Sequence, residues 1–208
     1  MSFYADAKKL ARFVSTLEGF PRIPKPRRSY GHMGATITDT ILQAGMNYRT
    51  VVEPRVRNLM QEHPEADTTT GFRNLIAFQG LKSLIRWDHA EKPRRIMDLT
   101  WFFSNEGLET EESLRDWLVR PGNANLLTCL KGVGQKTVDY LKMLAGVPSV
   151  AIDRHVRVLV HQVGLPYTRY SDLQQVVQLA ADHLRMDRSG FDWAIWSYMS
   201  SGEQSLSA

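Results

Sequence analysis

Apolar residues in this chain recur three and four positions apart, and no segment of useful length alternates apolar with polar. Val156, Leu159, Val160 and Val163 fall at i, i+3, i+4 and i+7, with Gly164 following as a stop. Leu173, Val176, Val177, Ala180 and Leu184 repeat the spacing, and Ser171 or Asp172 is available to cap it. Ile96, Leu99, Phe102 and Phe103 make another stripe; Leu114, Trp117 and Leu118 make a shorter one after Thr110. Connections are short and carry chain breakers: His63-Pro64, Arg120-Pro121-Gly122, Gly146-Val147-Pro148 and Leu165-Pro166. The pattern predicts an all-α fold of about ten or eleven helices, with residues 21–34 and the last half-dozen irregular. Phe191, Trp193, Ile195, Trp196 and Tyr198 crowd one stretch near the C-terminus, as a core helix that fastens the chain end would require.

The chain has 208 residues, enough for one substantial domain or two small ones, and 43% apolar with 23% charged residues is ordinary for a globular protein. A single cysteine, Cys129, excludes a disulfide within the chain and any four-cysteine zinc or iron–sulfur site. The six histidines show no close paired spacing that would signal a metal site. No apolar run approaches the roughly 20 residues that span a bilayer, and MSFYADAKKLARF lacks the layout of a secretion signal. A cytoplasmic protein without a membrane partner is expected, nucleoid-associated or, in a eukaryote, nuclear. Net charge is +4, and the distribution matters more than the total. From Gly19 to Thr38 there is no acid, and the tetrapeptide KPRR occurs at Lys25–Arg28 and again at Lys92–Arg95. Such clusters suit a polyanion, because each neutralised phosphate releases counterions. They equally suit a solvated, proline-stiffened strap, so charge permits nucleic acid without demanding it.

Residues 130–153 read LKGVGQKTVDYLKMLAGVPSVAID. Asn123–Lys131 reads as one helix with Leu126, Leu127 and Leu130 on one side. Gln135–Ala145 reads as a second, with Val138, Leu141 and Leu144 facing inward. Only Gly132-Val133-Gly134 parts them, so the turn calls for backbone angles that glycine adopts without steric cost. It also leaves the first N–H groups of the second helix pointing outward, where they can bind an anion. The same string is also consistent with a plain αα-hairpin whose glycines only permit a tight corner.

The longer string L-K-G-V-G-Q-K-T, followed by V-P-S-V-A-I-D-R-H-V, closely resembles the helix-hairpin-helix signature of the endonuclease III-like DNA glycosylase superfamily. That signature runs leucine, any residue, glycine, apolar, glycine, any residue, lysine, small residue. An apolar run ending in aspartate then precedes a further helix. The resemblance is strong over Leu126–Val163 and weaker at Thr38–Asn47, TDTILQAGMN, which is similar to the family's early helix leading into a base-probing loop. It implies an all-α fold of two helical subdomains with a DNA-binding cleft between them. One would be residues 36–149, with the helix-hairpin-helix at 123–145; the other would be residues 1–35 plus 150–208. It implies a monomer acting on duplex DNA that carries a damaged base or an abasic site. Gly132, Val133, Gly134, Gln135 and Thr137 would then meet the DNA backbone. Gly45, Met46, Asn47 and Tyr48 fall where the family places its intercalating and base-probing residues. Close relatives often carry glutamine at the position of Gly45, a departure that leaves the gap-filling residue and the damaged base open. Many relatives end with four cysteines around an iron–sulfur cluster. This chain lacks them, which points to the cluster-free branch, without a cofactor. Additional residues relative to the family sit around Trp87–Pro93.

In bifunctional members of the family, the lysine matching Lys136 is the nucleophile and the aspartate matching Asp153 assists it. The chemistry has an independent rationale. Departure of a base builds positive charge at the sugar C1′, which a carboxylate stabilises. An amine attacking C1′ gives a Schiff base after ring opening, and elimination of the 3′ phosphate then cuts the strand. A free lysine has a pKa near 10.4, and bringing such an amine to about 7–8 costs on the order of 4 kcal/mol. A helix N-terminus supplies up to ~2 kcal/mol of this, and desolvation supplies more. Tyr140 and Met143, at i+4 and i+7 from Lys136, are placed to line its face. A plainer role for Lys136 is contact with a phosphate, and for Asp153 capping of the helix that begins near Val156. His155 reads as structural. A monofunctional glycosylase using Asp153 and water, a non-catalytic helix-hairpin-helix DNA-binding protein, and a helical transcription regulator remain as rivals. A base inside a duplex reaches such a site only if its nucleotide is flipped out.

Overall fold

The apolar stripes close into helices with those sides turned inward: Ile96, Leu99, Phe103, Leu114, Leu159, Leu173 and Val177 are all fully buried. The computed structural model describes residues 2–22 and 29–205, and among them are twelve α-helices and no strand. In chain order they are α1 (Phe3–Thr16), α2 (Met33–Leu42), α3 (Glu53–Glu62), α4 (Thr69–Gln79), α5 (Leu81–Leu84) and α6 (Glu91–Asn105). Then follow α7 (Glu111–Leu118), α8 (Asn123–Leu126), α9 (Gln135–Leu144), α10 (Arg154–Gln162), α11 (Tyr170–His183) and α12 (Arg188–Ser205). The first KPRR cluster, Lys25–Arg28, and the last three residues of the C-terminal tail lie outside the described residues. Among the described residues, no helix is long and apolar enough to cross a membrane.

The chain divides into two compact units, residues 28–147 and residues 1–27 with 148–208. Helix α2 organises the first. All ten of its residues are buried, and it packs against α3, α6 and α9. A helix covered on every side relies on protein partners for its polar side chains. Thr36, Asp39 and Thr40 find them, and the Thr38 hydroxyl, among the described residues, does not. Thr40 donates to the Thr36 carbonyl at 2.6 Å, and Thr36 itself donates to the buried Glu111 carboxylate. At the N-terminus of α2 the ring Nδ1 of His32 accepts from Ala35 N at 3.0 Å. That assigns the ring proton to Nε2, which donates to the His63 carbonyl at 3.0 Å.

Residues 29–35 belong to this unit, whereas the resemblance assigns them to the other. Glu111, at the start of α7, draws them in: its carboxylate accepts from Ser29 Oγ and from Gly31 N. The stretch expected to be irregular up to residue 34 accordingly ends earlier, at the start of α2. Helix α7 opens on a capping box made by Thr110 and Ser113. Helix α11 begins one residue before Ser171, so neither Ser171 nor Asp172 is its cap; Arg169 holds that position without a side-chain bond.

The second unit packs α1 against α11, and α12 against α10 and α11. Phe191, Ala194 and Ile195 are fully buried on the inner side of α12, while Trp193 and Tyr198 pack half-buried at the margin. Tyr167 donates to Asp6 at 2.7 Å, and burial together with that bond pushes its phenol up to about 12.

Candidate functional site

Helix α8 is shorter than the spacing implies. It stops at Leu126, a single 3₁₀ turn covers Leu127–Cys129, and Leu130 is already extended. Leu127 is fully buried while Leu126 is half-exposed, so the three leucines do not share one face. Thr128 donates to the Asn125 carbonyl at 2.7 Å and Leu130 N to the Leu127 carbonyl at 3.1 Å, bonds that compete with continuing the α-helix.

The two glycines that follow have different reasons to be glycine. Gly132 has φ +84°, and a β-carbon there would overlap the Arg95 guanidinium. Gly134 is extended, at φ −97°, and a β-carbon added to it would meet no atom within 4 Å. The turn therefore explains Gly132 alone; Gly134 borders open space at the N-cap of α9, where no side chain caps the helix. Gln135 is exposed beside it. Val133 and Thr137, by contrast, turn their side chains into the protein at 5% and 8% exposure. At these two positions any contact with a ligand is left to the backbone, while Gly132, Gly134 and Gln135 are exposed.

Lys136 is half-buried in the first turn of α9, and its Nζ donates to Gln43 Oε1 at 3.4 Å. One turn on, Tyr140 donates to Asp39 Oδ1 at 3.0 Å. Each pair, 136 with 140 and 39 with 43, is spaced i, i+4, so α9 and the end of α2 meet in two polar rungs. Asp39 is fully buried and also accepts from Tyr30 at 2.6 Å and, at a longer 3.5 Å, from Tyr48. Burial, followed by the charge of Asp39, holds the Tyr30 phenol far above its ordinary range. Tyr140 and Met143 are both buried, with the Tyr140 hydroxyl committed to Asp39.

The loop after α2 runs through Gly45, Met46 and Asn47 to Tyr48. Gly45 is exposed with φ +72°, and Met46 is 39% exposed. Asn47 uses its side-chain oxygen to accept from Thr50 N at 3.1 Å, capping a π-helical turn over Tyr48–Val52. Tyr48 is half-buried, with its hydroxyl 3.1 Å from that of Tyr30. Gly45, Met46 and Asn47 are all exposed to solvent, Asn47 while capping the turn, and of the four Tyr48 alone is half-buried.

Sequence spacing does not single out Gln43, and it marks Lys92 and Arg95 only as part of a basic cluster, not beside this joint. Lys92 Nζ donates to the carbonyls of Ile41, Leu42 and Ala44 at 3.2, 2.7 and 2.7 Å. It thus closes the C-terminus of α2, where the last carbonyls have no helical partner. Burial pushes the Lys92 ammonium down to about 8; the nearby charges of Arg95 and Lys136 act in the same direction, and Glu91 opposes them. Lys92 and Arg55 both pack on the Trp87 ring, at 5.7 and 5.3 Å from its centre. The available signal was the second KPRR: on a helix, Lys92 and Arg95 at i, i+3 share a face, while Arg94 turns outward to Asp98.

Asp153 lies in the other unit. It is the N-cap of α10, its Oδ1 accepting from Val156 N at 3.0 Å. The strand-like segment before it is pinned by side chains of α11 and α12. Ser149 N donates to Ser189 at 3.2 Å, Ala151 N to Asp192 at 3.0 Å and Ile152 N to Tyr170 at 3.2 Å. His155 is buried, in keeping with a structural role.

Residues 102–200 match the model of a family described as a domain of unknown function, DUF8548. The matched stretch begins within α6, ends within α12 and includes both Lys136 and Asp153. No curated protein matches the chain in sequence.

Proposed function

We propose that this chain is a DNA glycosylase with AP lyase activity, using Lys136 as nucleophile and Asp153 as the carboxylate that assists it. The observation that carries the reading is the opening at Gly134: a helix N-terminus without a side-chain cap, where an added β-carbon would meet no atom within 4 Å, with a half-buried lysine in its first turn. Such a terminus favours an anion and disfavours a cation. A phosphate is therefore welcome there, beside the amine of Lys136.

The steps balance as follows. The neutral amine attacks C1′ as the C1′–N bond breaks, and the base leaves with the bonding electrons and then a proton. The carboxylate of Asp153 stabilises the positive charge that develops on the sugar. Ring opening gives the Schiff base, and loss of a C2′ proton expels the 3′ phosphate. Water then releases the lysine. A part-buried bond from the amine to Gln43 and the buried Tyr140–Asp39 bond one turn on position the start of α9, which suits a reaction that depends on position.

Borohydride trapping on abasic-site duplex tests the proposal. A covalent adduct with the wild-type chain that is lost in Lys136→Ala and reduced at least about a hundredfold in Asp153→Asn supports it. Base release without an adduct, dependent on Asp153, would make the enzyme monofunctional. Binding with neither reaction would leave a non-catalytic DNA-binding protein.

A further inference from the structure

The second KPRR cluster stands apart from the reaction just proposed, yet Arg95 reaches the same turn. Its guanidinium lies against Gly132, in the space a β-carbon would fill. One terminal nitrogen pairs with Glu91 one turn earlier on α6. The Nε is buried and finds no acceptor among the described residues. The two partners are unequally placed: the Glu91 side chain is 68% exposed, that of Arg95 only 23%. Lys92 and Lys136 add like charge close by, since both Arg95 and Lys136 act on the Lys92 ammonium. Arg95 and Lys136 thus lie near Lys92, and the exposed Glu91 is the carboxylate paired to Arg95.

We infer that Arg95 is a phosphate-binding residue occupied by Glu91 until a nucleic-acid phosphate settles at the Gly132–Gln135 turn and takes its place. The inference rests on the nucleic-acid reading given above. Its physical basis is the difference between the two pairings. An exposed carboxylate spaced i, i+4 from an arginine is weakly held, because water competes for both ends. A phosphate meets the planar guanidinium with two parallel bonds and releases counterions as well. Glu91 keeps the guanidinium oriented over Gly132 and then yields to a stronger anion. The second KPRR is therefore divided by function along one helix face, Lys92 inward to the end of α2 and Arg95 toward the turn.

The test measures affinity of the full chain for a labelled duplex containing a tetrahydrofuran abasic analogue, across a series of KCl concentrations. Arg95→Ala should weaken binding and flatten the slope of log affinity against log salt by about one. Arg95→Lys should keep the slope while losing affinity, because the charge remains and the fork does not. Glu91→Gln, a surface change that spares the fold, should tighten binding on the order of threefold at low salt. Should Arg95→Ala leave the slope unaltered, or Glu91→Gln fail to tighten binding, Arg95 is a structural prop and the inference is overturned while the proposed activity stands. If the wild-type chain does not bind the duplex even at low salt, both fall together.

Discussion

Gly132 and Gly134 are two residues apart, and substitution should separate their roles. Gly132→Ala places a methyl in a left-handed backbone against Arg95 and should cost about 1–2 kcal/mol of stability, read by chemical denaturation. Gly134→Ala meets nothing and should leave stability within about 0.5 kcal/mol. It should nevertheless weaken DNA binding about tenfold or more, because the methyl stands where a phosphate would approach the backbone N–H groups and lengthens a charge-assisted hydrogen bond. Equal effects of the two changes on stability would contradict this division. Lys92 offers a second residue-scale prediction. Its ammonium should titrate near pH 8 by nitrogen-detected NMR, where a free lysine requires about 10.5. The sign follows from the direction of the shift: the folded chain releases this proton first, so Lys92 opposes folding below pH 8 and ceases to do so as pH rises toward 10.5. A midpoint at the ordinary value would remove burial as the dominant influence on this group.

Among the elements, helices with a long apolar period were legible, because the stripe that buries is also the stripe that repeats; α6, α10 and α11 follow it closely. Asn123–Lys131 was not. Its leucines keep a helical spacing, but the hydroxyl of Thr128 and the buried Leu127 favour a 3₁₀ turn, and hydrogen bonding of that kind leaves no mark on the period. The start of α2 was hidden for another reason: its anchor, Glu111, lies 75 residues beyond Thr36. Of the site, the glycines, Lys136 and the cap at Asp153 could be read from one string. The rungs through Gln43 and Asp39 could not, since they exist only once α9 lies against α2. A joint between elements also carries a pH prediction. Arg188, opening α12, makes two bonds to Asp182 in the last turn of α11, at 3.1 and 2.8 Å. The hydrogen bond from Arg188 holds the Asp182 carboxyl below its ordinary value. The pair's contribution is present above the unfolded pKa and is lost as pH falls through the lower folded one. Asp182→Asn should therefore cost under about 1 kcal/mol at pH 7, both groups being partly exposed. The difference from wild type should vanish in strong acid. A difference that persists there would assign the effect to packing.

At the scale of the whole molecule, the two compact units divide the proposed chemistry: the amine and its anion-binding turn belong to residues 28–147, the carboxylate to residues 148–208. Each group is held by its own unit, Lys136 by the rung to Gln43 and Asp153 by a backbone tied to α11 and α12. The most direct measurement identifies the amine that attacks. The chain is reacted with abasic-site duplex under borohydride, digested, and the reduced sugar located by peptide mass spectrometry. The mass should fall on the peptide carrying Lys136. A modification found instead on Lys92, the neighbouring amine whose charged form burial disfavours, or no modification under conditions where the duplex is bound, would contradict Lys136 as the nucleophile.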